Sequence, residues 1–271
     1  MRSRLLVAAV GIPLLLVILF LCPKIVTALA ISLLSAIGAR EMLYTTGIVR
    51  HTRMTAYSMA MAFLLPLWSY AGCPILPFAT AVAVFALLLF LEALTAYPEV
   101  RFESVTGCLF AALAIPLCLG SIARILMLEQ GRYYVLVPIM IPFIADAGAY
   151  FAGRFLGRHK LAPVLSPHKT VEGAVGGVLT GIASMMVYGL VMQFGLRQGY
   201  HYGYAALYGL LGSLVSIVGD LSFSMIKRET GIKDYGTIFK AHGGVLDRFD
   251  SVIFAAPVVE LLIRILPLLR G

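Results

Sequence analysis

The sequence predicts an all-α polytopic integral membrane protein with about nine transmembrane helices, and two observations lead to that class. Of the 271 residues, 61% are hydrophobic and only 13% are charged, and the mean hydropathy is +0.95. Long apolar runs also recur along the whole chain. About 20 apolar helical residues cross a hydrocarbon core of about 30 Å, and a soluble core does not need repeated runs of that length.

The predicted spans are joined by polar connections, none of them long enough to suggest a separate soluble domain. Arg2 and Arg4 precede the first span as in a secretory signal, but no small-residue cleavage site ends the apolar run, so we expect a retained helix. In chain order the predicted spans are residues 5–22, 25–39, 54–71, 75–91, 105–128, 135–152, 173–196, 204–224 and 251–269.

The distribution of basic residues predicts the orientation of these spans. With the N-terminus in the cytoplasm, 15 of the 21 lysines and arginines fall in cytoplasmic segments and four in outer segments, while Arg124 and Arg264 lie inside spans. This bias follows the positive-inside rule and places the C-terminus outside. It also places the two most polar loops, residues 153–172 and 225–250, in the cytoplasm. The net charge of +8 therefore indicates basic loops facing anionic lipid, and no nucleic-acid partner is expected.

Charged residues inside spans need a physical reason, because they are costly in hydrocarbon. Glu260 and Arg264 are four residues apart, so we expect them to pair on one helix face. Arg124 has no obvious local partner; we interpret it as a side chain that reaches toward a helix end, with a substrate contact as the alternative. Asp146 is surrounded by small residues and is a candidate functional residue.

Two further patterns have structural interpretations. Gly173, Gly177 and Gly181 recur every four residues, which lines one helix face and favours close helix packing over a nucleotide-binding loop, since no strand precedes them. The four cysteines lie in or beside apolar runs without metal-ligand spacing, so we interpret them as small buried hydrophobic residues rather than a disulfide or zinc framework.

The most informative stretch runs from Gly219 to Ser251, where much of the charge of the chain is concentrated. Asp220 falls near the cytoplasmic end of the eighth span and Asp247 at the cytoplasmic start of the ninth, so two neighbouring antiparallel helices would bring both carboxylates to one membrane depth. Asp250, three residues after Asp247, shares its helix face. Clustered carboxylates repel one another unless a cation lies between them, and oxygen ligands of this type suit Mg²⁺. The nearby basic residues would suit several phosphate groups, and a solvated polar loop with basic headgroup anchors is the alternative.

At these residues the chain resembles the phosphatidate cytidylyltransferase (CDP-diacylglycerol synthase) family. The resemblance is carried by S-M-I-K-R from Ser224, by K-D at Lys233, by H-G-G-V-L-D-R-F-D from His242, and by G-D at Gly219. The segment D-A-G-A-Y from Asp146 also fits, as does the run from Gly153 to Gly173 with its K-L-A-P, S-P and K-T-x-E-G elements. The similarity covers the second half closely and the first half only as a pattern of spans. The chain departs from the commoner pattern at Phe223, where an acid often stands, and at Phe239-Lys240-Ala241, which replaces a Pro-Gly run.

The resemblance implies transfer of CMP from CTP to phosphatidate, giving CDP-diacylglycerol and pyrophosphate in the cytoplasmic (inner) membrane. It implies Mg²⁺ held by Asp220 and Asp247, with a second, monovalent cation left open. Phosphate, metal-shell or catalytic support is expected from Lys227, Arg228, Lys233, Asp234, His242, Arg248 and Asp250. Substrate binding is expected from Asp146, Lys160, Ser166, Lys169, Thr170, Glu172, Gly243 and Gly244. The expected partners are CTP, phosphatidate and membrane lipids, and homodimerisation stays open.

These expectations divide the chain into N-terminal transmembrane helices, residues 1–134, and a C-terminal transmembrane catalytic region, residues 135–271.

Two other function classes compete with this interpretation. An ion-coupled transporter would use buried charges as an ion path, but the sequence shows no inverted repeat and its acids gather at one face. A CTP-dependent lipid kinase would transfer the γ-phosphate and release CDP. A CDP-alcohol phosphotransferase is disfavoured, since its closely spaced acidic motif is absent from the sequence.

Overall fold

A computed structural model describes residue 11 and residues 13–72, 74–238 and 243–270. The helices, numbered in chain order, are α1 (Lys24–Arg40), α2 (Thr52–Ala71), α3 (Ile75–Thr95), α4 (Phe102–Leu109), α5 (Ile115–Leu126), α6 (Gly131–Tyr134), α7 (Val137–Leu156), α8 (Val171–Leu190), α9 (Tyr202–Glu229) and α10 (Leu246–Ile265). Short π-helical segments are Val17–Leu21, Glu41–Thr45 at the end of α1, Phe110–Ala114 between α4 and α5, and Val191–Gly195 at the end of α8. The strands are β1 (Lys160–Ala162), β2 (Ser166–Thr170), β3 (Gly199–Tyr200) and β4 (Leu269–Arg270).

The helices confirm the predicted class of an all-α, multi-pass membrane protein. Among the residues that the structure describes, six helical segments are long and apolar enough to cross a membrane. They are Lys24–Thr45, Ile75–Thr95, Phe102–Leu126, Gly131–Leu156, Val171–Gly195 and Tyr202–Glu229. Helix α2 covers the predicted third span, and α10 covers residues 251–265 of the predicted ninth span, 251–269. Residues 5–10 and 12 of the predicted first span lie outside the described residues, so the number nine stays a prediction.

The chain forms two compact units, and each is described by itself. The first comprises Met1–Arg132 together with Lys227–Phe249, and the second comprises Tyr133–Ile226 together with Asp250–Gly271. In the first unit α1 packs against α2 and α5, which enclose fully buried apolar side chains such as Leu43 and Ile115. The division into N-terminal spans and a C-terminal catalytic region concerns function and stays a prediction.

In the second unit, close packing of α7 against α8 confirms the interpretation of the glycine repeat. A Cβ atom added to Gly177 would lie 2.8 Å from the carbonyl oxygen of Ala145, and one added to Gly173 would lie 2.9 Å from that of Ala149. At Gly181 the added atom would come within 3.2 Å of the carbonyl oxygen of Gly209 on α9. The three glycines therefore let neighbouring helices approach backbone to backbone.

The polar segment between α7 and α8, expected as a loop, contains a small β-hairpin. Strand β1 pairs antiparallel with β2 in a register that sets Lys160 opposite Thr170 and Ala162 opposite Ser166, with an irregularity between them. The hairpin leads directly into α8, and Thr170 caps that helix by accepting a hydrogen bond from the backbone N–H of Gly173 at 3.1 Å. The hairpin thus fixes the entry of the chain into α8.

The charged residues inside spans have local partners. Arg264 donates to Glu260 Oε1 at 2.8 Å, which confirms the predicted pair. Arg124 differs from expectation, because it donates to the hydroxyl groups of Ser121 at 2.8 Å and Ser69 at 3.1 Å. A helical position three residues away lies on the same face, so Ser121 was a partner that the sequence already offered.

Candidate functional site

The second unit contains a cavity of about 450 Å³ at the hairpin and the ends of α7, α8 and α9. Four of its lining residues belong to the set predicted from sequence. The lining comprises Asp146, Ala149, Tyr150, Gly153, Arg154, Leu161, His168, Lys169, Thr170, Gly173, Ala174, Ile217 and Asp220. The structure therefore gathers into one cavity polar residues that three separate sequence motifs contribute.

Asp220 is held in this cavity by an ion pair and a hydroxyl group. Its Oδ2 pairs with the ammonium group of Lys169, which the hairpin strand β2 delivers to the carboxylate. Its Oδ1 accepts a hydrogen bond from Ser224, one turn further along α9, at 3.3 Å. Both charged side chains keep about a quarter of their surface exposed, 26% for Lys169 and 24% for Asp220. A charged substrate can therefore reach this pair.

Asp146, on α7, accepts a hydrogen bond at Oδ2 from the hydroxyl of Ser251, at 3.2 Å. Asp250 precedes that serine and is buried, with its Oδ1 accepting from the backbone N–H of Ser251 at 2.7 Å. Phe223, one of the positions where the chain departs from the family pattern described above, packs edge-to-face on Phe254, with 6.2 Å between the ring centroids. At this position the chain has a core aromatic residue, so no third acid stands there.

The other residues predicted along the hairpin brace its backbone rather than line the cavity. Lys160 Nζ donates to the carbonyl oxygen of Pro167 at 2.6 Å, which ties one strand to the other. Glu172 Oε2 accepts from the backbone N–H of Arg158 at 3.0 Å, and its Oε1 contacts Nδ1 of His159 at 2.6 Å. Ser166 begins strand β2. These contacts hold the segment that presents Lys169 to Asp220.

The first unit contains a second charged cluster around Asp247, in the first turn of α10. Its Oδ1 lies 2.9 Å from the ammonium group of Lys227, near the end of α9. Its Oδ2 accepts hydrogen bonds from the backbone N–H groups of Tyr235 at 2.7 Å and Gly244 at 2.9 Å. Lys227 also lies 5.4 Å from the centre of the Tyr235 ring. The carboxylate is 5% exposed, and its oxygens hold the connection between α9 and α10.

The remaining predicted residues of this stretch have different surroundings. Arg228, Lys233, Asp234 and Arg248 are exposed. Gly243 has φ +79°, a conformation that glycine adopts without strain, and the neighbouring Gly244 donates to Asp247. His242 and the segment Phe239-Lys240-Ala241 lie outside the described residues. Asp220 belongs to the second unit and Asp247 to the first, and their shared metal centre stays a prediction.

Sequence reasoning missed three residues that these two clusters contain. Arg154 and His168 line the cavity of the second unit, where they add cationic or hydrogen-bonding groups beside Lys169. Arg154 lies inside the G-R-x-x-G motif and His168 inside the S-P-x-K-T motif, so the motifs could have indicated both residues as candidates. Glu41, in the π-helical end of α1, accepts hydrogen bonds from the backbone of Val245 and Leu246 in the first unit. No local pattern in the sequence links it to residues 200 positions away.

The two aspartates fit the magnesium ligands that the resemblance implies. Each offers carboxylate oxygens, the donor type that Mg²⁺ prefers, and each forms an ion pair with a lysine ammonium group. Within the ranges that the structure describes, no three His, Cys, Asp or Glu side chains form a complete ligand set. Mg²⁺ fills much of its shell with water and phosphate oxygens, so one or two protein carboxylates are enough for a site.

Comparison with known proteins agrees with these motifs. The sequence profile of the cytidylyltransferase family matches residues 2–266. A phosphatidate cytidylyltransferase of Bacillus subtilis (strain 168) is 35% identical over 186 residues, which is 68% of each of the two chains. A phosphatidate cytidylyltransferase of Staphylococcus haemolyticus is 36% identical over 135 residues, and one of Staphylococcus aureus (strain COL) is equally similar, each match spanning 50% of both chains. The chain therefore belongs to the cytidylyltransferase family.

Proposed function

We propose that this protein is a phosphatidate cytidylyltransferase, which forms CDP-diacylglycerol and pyrophosphate from CTP and phosphatidate. The observation that carries the proposal is the family match over residues 2–266, together with relatives named for this activity. The charged groups of the two clusters support it, since both substrates are polyanions and both clusters contain lysines. The membrane-spanning helices support a lipid substrate.

The reaction exchanges one phosphoanhydride bond for another. A phosphate oxygen of phosphatidate attacks the α-phosphorus of CTP, the bond to the β-phosphate breaks, and pyrophosphate leaves with the two terminal phosphates. The lipid phosphate is already largely ionised near pH 7, so the reaction needs no strong general base. The difficulty is to bring two polyanions together and to stabilise the charge of the leaving group, which positioned cations achieve.

Lys169 and Arg154 are the cations of the cavity in the second unit, and His168 adds a group that can donate a hydrogen bond. We assign them to binding the phosphate groups of a substrate. Thr170 and the hairpin contacts of Lys160 and Glu172 fix the strand from which Lys169 projects. Lys227 provides a cation at the start of α10 in the first unit.

Asp220 and Asp247 are the residues that would hold Mg²⁺, by the fit of their oxygen donors and by the resemblance at both positions. A bound Mg²⁺ neutralises charge on the transferring and leaving phosphates. A second, monovalent cation is part of the same proposal. Asp146 and Asp250, hydrogen-bonded with Ser251, support the cavity wall.

We also propose an orientation for the protein in the cytoplasmic membrane of a bacterial cell. Nine spans with a cytoplasmic N-terminus place both polar loops, and with them the active site, on the side where CTP is made. The bias of basic residues toward those loops supports this topology.

The test is incubation of the purified protein with phosphatidate, labelled CTP and Mg²⁺. We expect one pyrophosphate for each CDP-diacylglycerol formed, and we expect turnover to stop when EDTA removes the metal. Undiminished turnover in excess EDTA would contradict the assignment of Asp220 and Asp247 to a metal. Transfer of the γ-phosphate with release of CDP would replace the proposal with a lipid kinase.

A further inference from the structure

We propose that Glu41 is a positioning residue for Asp247, and the proposal rests on the function proposed above. Glu41 lies in the π-helical segment that ends α1, far in sequence from the charged stretch, and only 3% of the residue is exposed. Its Oε1 accepts a hydrogen bond from the backbone N–H of Val245 at 3.0 Å, and its Oε2 accepts one from Leu246 at 2.9 Å. One buried carboxylate therefore holds two consecutive N–H groups at the start of α10.

These two N–H groups immediately precede Asp247 in the chain. The first N–H groups of a helix have no partner within the helix, and an anion there is favourable with respect to the helix dipole. Asp247 in turn accepts from the N–H groups of Tyr235 and Gly244. Tyr235 and residues 244–246 are thus tied to two carboxylates, and a shift of the helix start would move the carboxylate of Asp247 with it.

Two glycines make room for Glu41. A Cβ atom added to Gly244 would lie 2.5 Å from Cδ of Glu41, and one added to Gly236 would lie 2.9 Å from it. Distances this short would force the carboxylate away from its two donors. The φ of Gly244 lies outside the left-handed region, so its backbone does not require glycine. The contact with Glu41 therefore explains the second glycine of the H-G-G motif, while Gly243 is required by its positive φ.

A glutamine at position 41 would not replace the carboxylate. Its amide has one acceptor oxygen, and its NH₂ group would face a backbone N–H, which leaves one donor without a partner. Aspartate keeps the charge and both acceptors but is shorter by one methylene group. We therefore expect E41Q to impair the positioning of Asp247 more than E41D does.

The test compares wild type, E41Q and E41D in two measurements. The first is the Mg²⁺ concentration that gives half-maximal formation of CDP-diacylglycerol. The second is equilibrium binding of labelled CTP as a function of Mg²⁺, without phosphatidate, so that no turnover contributes. Loss of a residue that orients a metal ligand typically weakens metal affinity or activity 10- to 100-fold, so we expect both half-saturating concentrations to rise about 10-fold or more in E41Q. E41D should give an intermediate value.

The matched control is E260Q, which breaks the ion pair between Glu260 and Arg264. If Glu41 only stabilised the fold, E41Q and E260Q would lower the thermal midpoint and leave both Mg²⁺ dependences at the wild-type value. That result would overturn the proposal. If wild type itself forms no CDP-diacylglycerol, the proposed function fails, whereas an active wild type with an unchanged E41Q refutes the positioning role alone.

A second variant tests the contact itself and does not depend on the folding of E41Q. G244A should raise the half-saturating Mg²⁺ concentration because its methyl group presses on the carboxylate of Glu41. In an E41A background that carboxylate is gone, so G244A should add little to the effect of E41A. If the fold-changes of G244A and E41A in half-saturating Mg²⁺ concentration multiply in the double variant, the two residues act independently, because independent sites give additive free energies. That result would contradict the proposal. If E41Q and E41A do not fold, the test uses E41D and G244A instead, with the same two half-saturating Mg²⁺ concentrations as the measurements.

Discussion

At the scale of single residues, the two aspartates proposed to bind Mg²⁺ each form an ion pair with a lysine of their own unit. Asp220 pairs with Lys169 in the second unit, and Asp247 pairs with Lys227 in the first. A partly buried carboxylate that loses its partner is costly, so removal of either lysine would leave its aspartate without the ion pair. We propose that the same lysines also contact the phosphates of a substrate. Each aspartate therefore combines a structural contact with a proposed role in catalysis.

Replacing either aspartate with asparagine keeps its size and removes its charge. We expect D220N and D247N each to lower kcat by about 100-fold or more, because metal stabilisation contributes several kcal/mol to such a transition state. If both aspartates act on the same metal ion, the double variant should be little worse than either single variant. The measurement is a double-mutant cycle on folded protein, with E260Q/R264Q as a control that lowers stability more than rate. Additive losses would show that the aspartates have independent roles.

Lys169 offers a second test at this scale. We expect K169M to lower kcat/KM by about 10-fold or more, because it removes the ammonium group that the hairpin presents to the cavity. R158M is the matched control, since it removes one positive charge from the same segment at a residue that does not line the cavity. Steady-state kinetics with both substrates provides the measurement. Equal losses in the two variants would indicate a general effect of loop charge rather than a site contact.

The sequence predicted the residues of the cavity in the second unit better than it predicted the contacts at the start of α10 in the first. Asp146, Lys169 and Asp220 were candidates because charge is costly beside a membrane span and because motifs surround them. Nothing in the sequence marked Glu41 as a candidate, because an acidic residue at the predicted end of a membrane span is common and does not indicate a function. Its role depends on a contact across 204 positions of sequence, which local patterns do not contain.

At the scale of elements, the long apolar helices were predictable from sequence and the short β-hairpin was not. A strand of three residues paired with one of five gives no periodic signal, and its pairing depends on partners that fold against it. The polar composition of the segment instead favoured a loop. The hairpin positions Lys169, so the element that the sequence missed is the one that delivers a predicted residue to the cavity.

The glycine face of α8 provides the prediction at this scale. We expect G177A to lower stability by about 1–3 kcal/mol, because its methyl group would lie 2.8 Å from a backbone oxygen of α7, so that one of the two helices would have to shift. G203A is the same substitution at a helical position with no atom within 4 Å, and we expect it to change stability by about 0.5 kcal/mol or less. Thermal unfolding in detergent measures both. Similar stability of the two variants would argue against tight packing at Gly177.

At the scale of the whole molecule, fold class followed from hydropathy because the bilayer imposes a minimum length on each span. Orientation followed only from charge, and it is testable. We expect a cysteine introduced at position 158 or 233 to react with a membrane-impermeant reagent only when the cytoplasmic face is accessible. Labelling is best done without the native cysteines. Reaction from the periplasmic face alone would reverse the proposed topology, and with it the location of the active site.

The measurement that tests the central claim most directly follows the position of the label in CTP. With phosphatidate and Mg²⁺, CTP labelled on the α-phosphate should transfer its label to lipid, and CTP labelled on the γ-phosphate should release it as pyrophosphate. This outcome requires that the bond between the α- and β-phosphates breaks. Label that enters lipid from the γ-phosphate, with CDP as the second product, would contradict cytidylyl transfer and identify a kinase.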